Sequence, residues 1–157
     1  MASINEHGTQ FYDLGLAEAC IWRIKAIAIL YSRNLDFHET LKEMIKAEVI
    51  YWEFGAEFGI GVCLLGQAVI MIHFCKSEHN KSILRYALEK LIESVIYMKK
   101  IKNMFGVAKC YELMYEVKQI LKEPSFFEIQ SFLRAFDEVK DPNYLKCNHP
   151  FLFLLIE

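Results

Sequence analysis

The sequence predicts an all-α chain in which antiparallel helix pairs stack as a short α-solenoid. Three observations carry this prediction. Apolar residues recur at helical spacing along most of the 157 residues. Gly (7) and Pro (3) are too scarce for the many turns of an all-β domain. The stretches AEFGIGVC, from Ala56, and NMFGVAKC, from Asn103, lie 47 residues apart and share Phe-Gly, an aliphatic residue, two further residues and Cys.

The elements follow in order. Residues 1–10 are polar and read as a flexible N-terminus, ahead of a helical-repeat domain over 11–145 and an apolar tail over 146–157. Leu14, Ala17, Ile21, Ile24, Ile27, Ala28 and Tyr31 keep helical spacing and predict a first helix to Arg33. Asp36 is placed to cap a second helix reaching about Phe54, where Gly55 supplies a left-handed stop. A third helix runs from Glu57 to Phe74, and the polar loop CKSEHNKS separates it from a fourth that starts at Asn80 or Ser82 and extends to Ile101. The turn KNMFG leads to a fifth over Val107–Lys122. Pro124 divides that from a sixth, which ends before Asp141-Pro142. Ser125 and Glu128 have capping-box spacing.

Residues 41–63 lie over 88–110 without a gap. Leu41 meets Leu88, Ile45 meets Ile92, Phe58 meets Phe105, Gly59 meets Gly106 and Cys63 meets Cys110. Met44 with Leu91, Ala47 with Ser94 and Val49 with Ile96 are close matches. Matches at apolar and turn positions describe a helix pair that cannot bury its face alone and stacks on its copy. The glycine then sits where one pair passes to the next, the Phe fills the layer between pairs, and the Cys is small enough for close helix approach.

Leu65-Gly66 followed by Val69, and Ala87, Leu91 and Ser94 on the next helix, resemble tetratricopeptide-type (TPR-like) helical repeats of a longer-period kind. Thr40, Met44 and Ala47 repeat the small-bulky-small spacing. The period of 47 exceeds the usual one of about 34, and HEAT-like pairs or an irregular helical bundle are the alternatives. The resemblance implies a curved solenoid whose groove takes a peptide or helix of another protein.

Composition excludes some partners. Net charge is −2 and the pI is near 6.2, so no basic footprint for nucleic acid is present. Phe58–Phe74 is apolar but shorter than the roughly 20 residues a spanning helix needs, and three glycines fall in its first half. It reads as a buried central helix, so membrane contact is not expected. Five cysteines without paired spacing indicate reduced thiols and a cytoplasmic setting.

The leading functional reading is a non-enzymatic adaptor or assembly subunit with no cofactor. Trp52 is a candidate aromatic anchor. Lys99, Lys100 and Lys102 are candidate contacts for an acidic partner segment, against the plainer reading of cations that favour a helix C-terminus. The rival is a small metal-binding or enzymatic domain built on His73, Cys75 and His79, joined by Cys147 and His149 of the tail, with Cys75 and His79 as the metal pair. His73 reads more simply as a hydrogen-bonded core histidine, and Cys63 or Cys110 reaches it as a nucleophile only through tertiary placement. The tail PFLFLLIE must be covered. It reads as a closing helix, a segment lying in the groove, or an interrupted repeat whose end a partner completes, including a second copy of the chain.

Overall fold

The computed structural model describes residues 36–75 and 80–139. They form α1 (Phe37–Glu53), α2 (Glu57–Cys75), α3 (Lys81–Lys100), α4 (Met104–Leu121) and α5 (Phe126–Glu138), with no strand among the described residues. The helix expected over 14–33, the polar N-terminus and the apolar tail lie outside the described residues. Each helix packs on its neighbour in sequence, and α2 also touches α4. Among the described residues the all-helical prediction holds.

α2 is the centre of the stack. Of its 19 residues 14 are buried, because α1, α3 and α4 all lean on it. A helix enclosed on several sides has no need of a polar face. It is long and apolar enough to cross a membrane, yet 78% of that window lies inside the protein. Gln67, its buried polar side chain, donates to Glu48 Oε1 at 2.5 Å and so avoids the cost of an unmatched amide.

Helix boundaries follow from caps. Asp36 accepts from the Glu39 amide at 3.2 Å, and Asn80, rather than Ser82, starts α3 by accepting from the Ser82 and Ile83 amides. α4 starts at Met104, earlier than the spacing suggests, since Asn103 Oδ1 accepts from the Gly106 amide at 3.0 Å and draws the glycine into the first turn. Ser125 makes no capping bond. Its hydroxyl instead accepts from Gln119 Nε2 at 2.7 Å, and Glu128 turns to Lys118, so the capping-box expectation fails to tertiary partners.

α1, α3 and α4 end alike. Gly55, Lys102 and Lys122 take left-handed φ values of 63°, 60° and 57°. The amides of Ala56, Asn103 and Glu123 then reach back to the carbonyls of Tyr51, Met98 and Lys118 at 2.9, 2.8 and 2.9 Å, closing the last turn in the Schellman manner. Gly55 and Lys102 stand 47 residues apart, so the period seen in the sequence is repeated in the backbone.

The side chains repeat it too. Tyr51 lies flat on Gly59, where an added Cβ would meet the ring at 2.1 Å, and Met98 lies on Gly106, where a Cβ would meet its sulfur at 2.6 Å. Both pairs span the same two positions of the period. The glycine therefore serves as a seat for a bulky side chain of the preceding helix, which is a more specific role than a handover point between pairs. Beyond it, a relay crosses three helices: the Cys110 thiol of α4 donates to Ser94 Oγ at 3.4 Å, and Ser94 donates to the Gly61 carbonyl of α2 at 2.7 Å.

Gly59→Ala is expected to cost about 2–3 kcal/mol, because a rigid ring cannot retreat from the new methyl and overpacking outweighs the helix gain from Ala. Gly106→Ala should cost about 1 kcal/mol or less, since Met98 can re-aim its thioether. Urea unfolding of the two variants measures the difference, and equal costs would contradict the seat.

Candidate protein-binding groove

α3 and α5 flank α4 and leave a groove of about 480 Å³ above it. The α3 wall carries Leu88, Ile92, Val95, Ile96 and Lys99 on one helical stripe. Tyr111, Met114 and Lys118 of α4 form the floor, and Phe127 and Glu128 begin the α5 wall. Ile92, Ile96 and Phe127 are 55%, 60% and 66% exposed, so the walls show water large apolar side chains. The rings of Tyr111 and Phe127 meet edge to face at 6.0 Å.

This stripe arises because α3 has two apolar faces. Leu84, Ala87, Leu91, Ser94 and Met98 are buried against α2 and α4, which uses up the inner face. The matched pairs Ile45 with Ile92 and Val49 with Ile96, taken from the sequence as packing positions, are exposed in both copies. Buried matches between α1 and α3 include Met44 with Leu91, Ala47 with Ser94 and Tyr51 with Met98.

Charges frame the groove. Lys99 Nζ donates to the Tyr111 hydroxyl at 3.2 Å and lies 5.6 Å from the centre of its ring. Lys118 ion-pairs with Glu128 Oε1. The other sequence candidates lie elsewhere. Trp52, 50% exposed, meets Tyr97 edge to face at 5.6 Å and does not line the groove. Lys100 pairs with Glu57 of α2, whose hydrogen bond and charge hold the ammonium above its ordinary value. Lys102 is exposed at the left-handed turn. Lys99 is thus the member of the set that reaches the groove; Ile92, Ile96, Tyr111, Met114, Lys118, Phe127 and Glu128 are lining residues to which sequence reasoning gave no binding role.

Cys75 is buried and shares a small cavity of about 160 Å³ with Phe37, His38, Phe74 and Ile83. His79, Cys147 and His149 lie outside the described residues, and among the described residues no three metal-ligating side chains come together. His73, expected in the core, is exposed, its ring set edge-on to Phe74 at 5.6 Å. The Cys110 thiol is bonded to Ser94 rather than to a histidine, and burial pushes it up to about 12 against the partial relief given by Ser94 and Lys109. A thiol held protonated is no nucleophile at neutral pH. Compared with protein families, curated protein sequences and solved structures, the chain matches none.

Burial of Cys110 has a thermodynamic consequence. The folded thiol keeps its proton up to about pH 12, whereas in the unfolded chain it ionises near 9.0, so between these values the unfolded state holds fewer protons and stability falls as pH rises. Urea unfolding between pH 9 and 12 should show a steeper decline for the wild type than for Cys110→Ala, and parallel curves would contradict the buried thiol.

Lys102→Gly should raise stability by about 0.5 kcal/mol, as glycine relieves the left-handed strain and returns part of the gain through unfolded-state entropy. Thermal denaturation checks it, and a lower Tm would mean that the Lys102 side chain has a structural task.

Proposed function

We propose that the chain is a non-enzymatic adaptor or assembly subunit that binds a peptide or helix of a partner protein in the groove over α4. Its helix pairs stack as a short TPR-like or HEAT-like solenoid. The observation that carries the reading is the set of large apolar side chains, Ile92, Ile96 and Phe127, held in water on the walls of a cleft with a packed floor. Apolar surface gathered in a concave site rather than scattered is what a partner recovers on binding. The doubled Schellman ends and doubled glycine seats at a spacing of 47 support the repeat architecture.

Other features fit the same picture. α5 carries a second exposed stripe, Phe126, Ile129, Leu133 and Phe136, which supports completion of the C-terminal end by another surface, a second copy of the chain included. The thiols of Cys63, Cys75 and Cys110 are buried, in keeping with a reducing, cytoplasmic setting. The enclosure of α2 supports a core role for this helix over a membrane one.

Selection of random displayed peptides on the full chain tests the groove. Peptides that bind with micromolar Kd should lose about tenfold or more in affinity against Ile96→Asp. The Tm of that variant should stay within about 2 °C of the wild type, because the side chain is exposed. Binding indifferent to both Ile96→Asp and Phe127→Asp would contradict the reading.

A further inference from the structure

The groove contains a polar atom that the fold leaves unmatched. Glu128 lines it at 4% exposure; Oε1 pairs with Lys118, while Oε2 is shielded from water and has no hydrogen-bond partner. Buried acceptors are almost always matched, and an unmatched carboxylate oxygen is costly. Oε2 is out of reach of a water-sized group, so an occupant's donor removes that cost by drawing the carboxylate towards the groove.

The surroundings select the donor. Lys118 already balances the carboxylate, so a second cation would have to shed its water among Ile96, Met114 and Phe127 with little charge left to meet it. A neutral N–H or O–H carries no such penalty. The cavity, about 480 Å³, has the size of sites that enclose a ring system, and its walls are aliphatic and aromatic. An apolar ring with one donor at its edge fits both conditions, and indole is the side chain of that kind with a donor and no acceptor.

At the other end of the floor stands Lys99, an exposed ammonium with three donors, one of them given to the Tyr111 hydroxyl. Tyr111 and Lys118 are two turns of α4 apart, about 10 Å. A tryptophan and an adjacent carboxylate span that length.

We infer that the groove is a socket for a tryptophan anchor in an acidic segment of a partner protein, with the indole N–H on Glu128 Oε2 and a neighbouring Asp or Glu on Lys99. The inference rests on the reading of the groove as a protein-binding site and specifies its partner chemistry.

The test titrates indole, and separately benzofuran, which has the same shape and no donor, into the ¹⁵N-labelled full chain. Indole should shift the amide signals of Ile96, Met114, Phe127 and Glu128 and bind about tenfold more tightly than benzofuran. Glu128→Gln, which puts an amide in place of the acceptor, should bring the ratio to one or invert it. The wild-type ratio decides the matter even if that variant does not fold. N-acetyl-Asp-Trp-Asp-amide should in turn outbind its Asn-Trp-Asn counterpart, with Lys99→Met abolishing the difference.

Equal binding of indole and benzofuran at the groove would overturn the donor assignment while leaving the groove reading intact. No preference for the acidic tripeptide would overturn the role of Lys99. Groove signals that respond to neither ring but move on dilution would assign the site to a second copy of the chain and overturn the inference. Signals that respond to nothing would remove the groove reading along with it.

Discussion

The seating of a bulky side chain on a glycine of the next helix is the constraint on which the remaining architecture depends. Tyr51 on Gly59 and Met98 on Gly106 bring each helix end onto the start of its successor, closer than any Cβ would permit. With that distance fixed, the left-handed turn at Gly55 or Lys102 has a single geometry to satisfy, and the Schellman bonds close it. α2 is then enclosed by α1, α3 and α4, and a helix with so little polar surface becomes an asset to the core. The Cys110–Ser94–Gly61 relay adds a polar tie from the second copy back to α2 of the first.

The groove is a by-product of this stacking. Helices two apart in the chain flank the one between them, and α3 and α5 leave space above α4. What fills the rims of that space is a separate matter of sequence. Polar residues there would give an inert surface, as on the exposed flanks of most helices. This chain instead places Ile92, Ile96 and Phe127 at the rims, lysines at Lys99 and Lys118, and a shielded carboxylate at Glu128. Such a distribution leaves gathered apolar surface in water, which the proposed partner would cover.

Much of the fold was legible from spacing alone. The boundaries of α1 to α3, the left-handed stop at Gly55 and the 47-residue period follow from local rules in which glycine, capping side chains and apolar periodicity agree. The start of α4 did not follow because Asn103, read as part of a turn, caps the helix itself, and the duties of Ser125 and Glu128 did not follow because Gln119 and Lys118 of the preceding helix claim them. The groove was the least legible part. Ile45, Val49, Ile92 and Ile96 repeat as faithfully as core residues, and nothing in their spacing separates an outward apolar stripe from an inward one. Lys99 was reachable as part of a basic helix end, while Trp52 and Lys100 belong to contacts with Tyr97 and Glu57. The metal-binding alternative turns on His79, Cys147 and His149, which lie outside the described residues.

Nuclear Overhauser contacts at the two glycines would test the account most directly. The aromatic protons of Tyr51 should give strong cross-peaks to the α-protons of Gly59, with those α-protons moved upfield by the ring. The methyl and γ-protons of Met98 should do the same for Gly106 without the ring shift. Observation of both pairs, 47 residues apart, would establish the repeated seat in solution. Absence of both, in a chain that is otherwise helical, would contradict the stacking on which the groove depends.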